Sequence, residues 1–246
     1  QPLCPVNITY KDYAVWQNRS SGDGGIAQSE AYWQDIYPDN IPRLNFPTDF
    51  PRPENFKFHG EGYRFTLESG ETQKLKETGA TAEATLFMNL LALLNILLFK
   101  YTGQEDIVVG CSTAGRQHAD LQDIIGMFVN MLPLRNFPIP DLTYRDFLQK
   151  VKASTLGAFA HQDMQFDDLV FKLHQAEEHA RQPLLEVCLN LENYEHPSYE
   201  VEGLKISAYR LQNKTAKFPI MLWANEVDGE IQFLLEYSTE LFTPGS

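Results

Sequence analysis

The chain has 246 residues, 43% hydrophobic, 12% aromatic and 22% charged, with 20 Lys plus Arg against 33 Asp plus Glu, a formal charge of −13. That composition and length suit a sizeable core and exclude wholesale disorder, leaving one large domain or two small ones. The acidic balance argues against nucleic acid or an anionic membrane surface as the main partner. Cys4, Cys111 and Cys188 are odd in number and far apart, which gives neither a disulfide framework nor zinc spacing and favours a reducing compartment. The N-terminus has no basic start and no apolar signal core, and the greasy run from Ala84 to Phe99 is short for a membrane span and interrupted by Asn89 and Asn95. A cytoplasmic protein with no membrane partner is expected.

A short helix is predicted over Ile8 to Gln17, ending in the glycine-containing loop from Ser20 to Gly25. A second helix is predicted from Ala27 to Tyr37. Pro38, Pro42, Pro47, Pro51 and Pro53 then exclude helix and predict a strap across a surface. Tyr63 to Leu67 alternates as a strand, with Tyr63, Phe65 and Leu67 on one side. Helices follow over Gly70 to Thr78 and Thr81 to Tyr101, the second apolar around most of its circumference and therefore expected to be covered on several sides. Asp106 to Cys111 and Met127 to Leu134 read as buried strands. Thr143 and Asp146 form a capping box before a helix with apolar positions from Tyr144 to Phe159 at spacings of three and four. Strands are predicted over Leu185 to Glu192, Val201 to Leu211, Phe218 to Ala224 and Ile231 to Tyr237. Asp228-Gly229 is the tight turn between the last two. The sum is α+β, helices packed on a mainly β sheet.

Common catalytic signatures are absent: no Gly-x-Ser-x-Gly, no phosphate-binding glycine loop, no His-Glu-x-x-His and no dinucleotide fingerprint. His174 and His179 beside Glu177 and Glu178 fall on different sides of a helix, so a solvated face is read there and no metal. Asp167-Asp168 sits at a helix start, where negative charge complements the macrodipole. Two polar sites stand out. Asn130 lies in an apolar run, sharing a face with Phe128 and Leu132 by alternation, and must face a polar network or a lined cavity. Arg135 closes that run and invites a carboxylate. Structural and functional roles stay open for both. His161-Gln162-Asp163 is either a polar connection between helices or a functional site.

These residues carry a resemblance. Tyr10-Lys11-Asp12-Tyr13-Ala14-Val15-Trp16, the strap around Phe46-Pro47-Thr48-Asp49, and Tyr101 to Gly110 follow, in order, motifs of the condensation domains of nonribosomal peptide synthetases. So do Ile125-Gly126-Met127-Phe128-Val129-Asn130 through Arg135, and His161-Gln162-Asp163-Met164-Gln165-Phe166. Departures are Met131 for the commoner Thr, Gln165 for Pro, and the motif at Arg181-Gln182-Pro183-Leu184, which lacks the Asp and Ser usually before its Arg. The family's His-His-x-x-x-Asp-Gly motif is missing, and the 246 residues contain no His-His pair. The resemblance spans essentially the whole chain but only the later half of such a domain, so the chain is expected to start just past that motif, as a fragment or one chain of a split protein.

The resemblance implies one lobe of a chloramphenicol acetyltransferase-like two-lobed fold: entry helices and strap over residues 1–60, an α/β sandwich core over 61–246, and latch-like strands near 201–237. The N-terminal lobe would be a separate partner. It further implies peptide-bond formation between thioesters carried on phosphopantetheine arms of donor and acceptor carrier proteins, an adjacent adenylation domain, and no cofactor or metal bound directly. Gly126, Phe128 and Asn130 would line the substrate tunnel, with Asn130 as an amide donor near the reaction centre. Arg135, His161, Gln162, Asp163 and Arg181 would hold the lobe or its interface, and this chain would contain no catalytic residue. Two readings compete with this one: a non-catalytic condensation-like interaction module, and half of an acyltransferase acting on acyl-CoA.

Overall fold

The computed structural model describes residues 8–22, 26–173, 184–192, 200–201, 203–205 and 214–245. Arg181, His174 and His179 lie outside the described residues, as does most of the strand predicted over Val201 to Leu211.

Helix α1 (Tyr10–Gly22) is followed by α2 (Ala27–Ile36), β1 (Gly60–Leu67), α3 (Ser69–Thr81), α4 (Leu86–Thr102), β2 (Ile107–Thr113) and β3 (Asn130–Asn136). Then come α5 (Tyr144–Ala160), α6 (Phe166–Lys172), β4 (Val187–Glu192), β5 (Glu200–Val201), β6 (Leu204–Lys205), β7 (Ile220–Val227) and β8 (Glu230–Ser238). Six strands form a mixed sheet in the order β1-β8-β7-β4-β2-β3, with β2, β4 and β7 parallel and the outer pairs antiparallel. Helices α3, α4 and α5 pack against it. The expected mixed sheet packed against helices is therefore the fold.

The local reasons match the sequence in most places. Thr9 donates its N–H and hydroxyl to Asp12 at the head of α1, and that helix runs on into the predicted loop as far as Gly22. Thr85 accepts the Met88 N–H at the start of α4, and Gly103 closes that helix at φ 69°. The helix predicted from Thr81 starts at Leu86 instead, because the chain turns at Glu83, which sits at φ 51°. In α5, Thr143 accepts the Asp146 N–H, while the Asp146 carboxylate takes the Thr143 hydroxyl. Asp228 and Gly229, at φ 52° and 81°, make the two-residue hairpin turn from β7 to β8.

Register places Tyr63, Phe65 and Leu67 opposite Leu235, Phe233 and Ile231, and Leu222 and Ala224 opposite Leu235 and Phe233, so these side chains share one face as predicted. Three features add to the predicted elements. The helix α4 is not covered all round: Leu93, Leu97 and Tyr101, four residues apart, are 42%, 50% and 64% exposed. Leu97 and Tyr101 border a cavity of about 700 Å³ shared with Tyr63 and Phe65. Second, β7 and β8 are inner strands of the main sheet, and β5 and β6 form a separate two-stranded sheet among the described residues. Third, Met127 to Val129 is not strand; β3 begins at Asn130.

The proline-rich segment crosses as a strap. It buries Ile41 and Leu44 in the main core, and Arg43 and Arg52 pair with Glu186, whose side chain is 3% exposed. At the β3 edge the Tyr37 hydroxyl donates to the Pro133 carbonyl at 2.8 Å, covering a sheet margin that would otherwise be open. One junction is sparse. Strands β2 and β4 pair only at Val109–Val187 and Gly110–Cys188, then separate, and the Asn190 side chain bridges the gap by accepting the Ser112 N–H at 2.9 Å.

Candidate functional site

A cavity of about 890 Å³ opens where β2 and β4 separate, at their carboxyl ends. In open sheets with parallel strands such ends are the usual ligand position, because loops diverge there and leave a crevice. Phe87 and Phe159 supply apolar wall from α4 and α5, Ser112 and Asn190 line it from the sheet, and Gly126 and Phe128 line it from the loop after β2.

That loop is held by α1. A Cβ on Gly126 would lie 2.2 Å from the Tyr10 ring, so only glycine fits beneath it. The Tyr10 hydroxyl donates to the Met127 carbonyl at 2.8 Å. Satisfying that carbonyl away from any ladder is why the apolar run does not continue β3 backwards. Phe128 turns inward to 5% exposure, while Ile125, Met127 and Val129 are 96%, 72% and 50% exposed. Tyr10 meets Phe128 edge-on at 5.2 Å, Tyr13 packs at 4.6 Å, and the Arg116 guanidinium lies 4.2 Å from the same ring. Gly115, at φ 65°, allows the close approach: a Cβ there would sit 1.9 Å from the Phe128 carbonyl oxygen. Burial pushes the Cys111 thiol in the cavity wall up to about 12, so it stays protonated and a poor nucleophile near neutral pH.

Asn130 is elsewhere. Its Nδ2 donates to the carbonyls of Gln162 at 2.9 Å and Met164 at 2.8 Å, and its Oδ1 accepts the N–H groups of Met131 at 2.8 Å and Phe166 at 3.0 Å. All four hydrogen-bonding positions are filled by backbone. Asn130 staples the α5–α6 connection to the start of β3, and both its amide hydrogens are committed.

His161, Gln162 and Asp163 are that connection. The His161 ring stacks on Tyr32 at 4.4 Å, its Nδ1 lies 3.3 Å from the Ser29 hydroxyl, and its carbonyl accepts the Trp33 indole N–H at 2.9 Å. Gln162 accepts the Thr113 hydroxyl, and Asp163 accepts the Gln117 amide at 3.0 Å. Together the three tie α2, β2 and the cavity loop to the end of α5. Arg135 takes the Asp106 carboxylate through Nε at 2.8 Å and Nη2 at 2.7 Å, and also donates to the Ile36 carbonyl. The hydrogen bonds to Asp106 push the guanidinium pKa upward. Among the described residues no group of three or more His, Cys, Asp or Glu is placed to hold a metal. No single described helix is long and apolar enough to cross a membrane; α3 and α4 pass only as a pair bent by 102°.

The family model described as the condensation domain matches residues 1–245. The chain belongs to the condensation-domain family. It is 44% identical over 243 residues to tyrocidine synthase 3 of Brevibacillus parabrevis, which covers 99% of this chain and 4% of that protein. Bacitracin synthase 3 of Bacillus licheniformis is 40% identical over 240 residues, 98% of this chain and 4% of that one. The chain thus spans a small fraction of the relatives it matches. In fold, the X-domain from teicoplanin biosynthesis superposes with a TM-score of 0.88 at 22% identity, covering 99% of this chain and 57% of that one.

Within this condensation-family chain, sequence reasoning named two of the cavity's residues, Gly126 and Phe128, and missed Ser112, Asn190, Glu192 and Trp223. A signal was present. Asn190 interrupts the apolar run Val187-Cys188-Leu189 much as Asn130 interrupts its own, and the same question of where its amide goes applied to it.

Proposed function

We propose that this chain is the C-terminal lobe of a nonribosomal peptide synthetase condensation domain, in the manner of a chloramphenicol acetyltransferase-like two-lobed enzyme, and that it acts in the cytoplasm. The acceptor amine attacks the donor thioester carbonyl; a C–N bond forms, the C–S bond breaks, and the thiol leaves with a proton. Both thioesters are substrates presented on phosphopantetheine arms of donor and acceptor carrier proteins, with an adenylation domain alongside. The His-His-x-x-x-Asp-Gly lobe supplies the reacting machinery, and this lobe supplies a wall, alignment and exclusion of water.

The observation that supports this reading best is the cavity at the separated strand ends, fronted by the family motif: Gly126 and Phe128 in its wall, and Ile125 and Met127 exposed beside it as an apolar surface for the other lobe to cover. Arg135, His161, Gln162 and Asp163 act by holding that wall, and the β5–β6 hairpin is the segment available to reach the other lobe.

The test uses the whole synthetase with both carriers loaded, following peptidyl thioester by mass spectrometry. Transfer is expected in the wild type. Leu156→Trp, which fills the cavity from a half-exposed position on α5, is expected to slow it at least about tenfold. Undiminished transfer with the cavity filled overturns the role given to this wall. No transfer by an intact, loaded wild type overturns the reading in favour of an interaction module.

A further inference from the structure

The sheet face that carries the helices is covered unevenly. Helix α5 packs on β3, α4 on β2 and β4, and α3 on β8. Beside α4 this layer gives way to the trough of about 700 Å³, where Tyr63, Leu235 and Leu222 stand side by side on β1, β8 and β7. Leu97 and Tyr101, one turn apart, line it from α4. Tyr63, Leu97 and Tyr101 are each at least half exposed, so the trough presents a continuous apolar surface. An apolar sheet face flanked by a helix is the slot that the next helix of such a layer fills, since packed helices lie about 8–10 Å apart. The trough is distinct from the cavity at the β2 and β4 ends: the two share no lining residue.

A second observation comes from residues 241–245. Leu241 and Phe242 are buried with Phe56 in a small cluster of their own, and Thr243, Pro244 and Gly245 then line the trough themselves. Threonine followed by proline is a helix-start pair. Threonine suits the N-cap, and proline suits the first helical position, where its missing N–H costs nothing and its fixed φ is already helical. Pro244 and Gly245 form a turn. The Asp49 carboxylate accepts the Thr243 N–H at 2.7 Å, which puts a negative charge where a helix N-terminus is stabilised by one.

We propose that the trough seats an amphipathic helix that starts at Thr243 and Pro244 and is supplied by the polypeptide following Ser246 in the intact synthetase. Its apolar positions, at spacings of three and four, cover Leu97 and Tyr101 on one side and Tyr63 and Leu235 beneath. The occupant comes from the same chain because its first turn is already laid in the trough; a helix from another molecule would have to displace residues 243–245. Polypeptide is available for it, since the relatives run far beyond the stretch they share with this chain.

Photocross-linking in the intact synthetase identifies the occupant. With Leu97→p-benzoylphenylalanine, irradiated, digested and mapped by mass spectrometry, a cross-link is expected within one polypeptide, to a peptide lying within about 20 residues after Ser246. A cross-link to a second copy, a cross-link to any other part of the synthetase, or none at all overturns the assignment. Leu97→Glu supplies an independent readout, because it sets a charge in the seat from a half-exposed position. Hydrogen exchange in those following residues is expected to quicken at least about tenfold, with the amides of β7 and β8 unchanged. Exchange there that is unmoved by Leu97→Glu also overturns the assignment. Neither readout needs a peptide bond to form, so a synthetase that shows the expected cross-link but fails to transfer would sink the proposed function and leave the helix seat standing.

Discussion

Two asparagines, each inside an apolar strand run, show how the same residue builds opposite kinds of site. Asn130 and Asn190 are almost equally buried, at 5% and 7% exposure. Asn130 fills all four of its hydrogen-bonding positions with backbone from three segments. Asn190 uses one, on Ser112. Burial therefore does not separate structure from function here; the destination of each polar atom does. The stapled asparagine fixes where the wall stands, and the half-committed one faces what the wall encloses.

The comparison breaks most visibly under truncation. Asn130→Ala orphans buried carbonyls and amide groups together and is expected to lower unfolding stability by about 3–5 kcal/mol, read as a shift in urea midpoint. Asn190→Ala loses one bond and is expected to cost about 1 kcal/mol. Similar losses for the two would mean that Asn190 is also a staple.

The alkaline limb is next in size. Cys111, in the wall between the two sites, has a folded pKa raised to about 12 by burial. Sign follows directly: the unfolded thiol ionises near 8.5, so its contribution is complete below that pH and is lost as pH rises toward 12. At pH 8 alkylation of Cys111 is expected to be about 1000-fold slower than in the unfolded chain, measured by timed quenching and peptide mass mapping. Rapid labelling of the native protein would mean that the wall opens.

Gly126→Ala puts a methyl group into the Tyr10 ring and is expected to cost about 1–3 kcal/mol, with α1 amides losing hydrogen-exchange protection before those of β3. Tyr10→Ala in that background is expected to restore β3-like behaviour of the loop, which separates a steric cause from a backbone one. The smallest effect belongs to Asp106→Asn. Its pair with Arg135 is bidentate but partly exposed, at 22% and 36%, so about 1 kcal/mol is expected, shrinking little with salt because Arg135 also holds the Ile36 carbonyl.

Much of the fold was legible because it follows from local rules. The alternation in β1, β7 and β8, the Asp228-Gly229 turn, the Thr143 cap and the helix-excluding strap need no tertiary information. What could not be read depends on contacts distant in sequence. Tyr10 ends the β3 ladder early by taking the Met127 carbonyl, 117 residues away. The stripe Leu93-Leu97-Tyr101 is as apolar as the buried side of α4, and the position of the sheet and of the neighbouring helices decides which side stays open. Motif resemblance marked Asn130 as important but not why, since its partners lie on the α5–α6 connection. Asn190 carried no motif, and the separation of β2 from β4 that gives it a cavity has no sequence signature.

That separation has a mechanical consequence. Seven residue pairs join β2 to β3 and six join β4 to β7, but two join β2 to β4. The sheet is thus two stiff ribbons meeting at a short seam, which Gly110 keeps close because a side chain there would strike the Cys188 sulfur at 2.6 Å. Bending concentrates where the fewest hydrogen bonds resist it. A twist about Gly110 and Cys188 would therefore meet less hydrogen-bond resistance than bending within either ribbon, and it would move both walls of the cleft together.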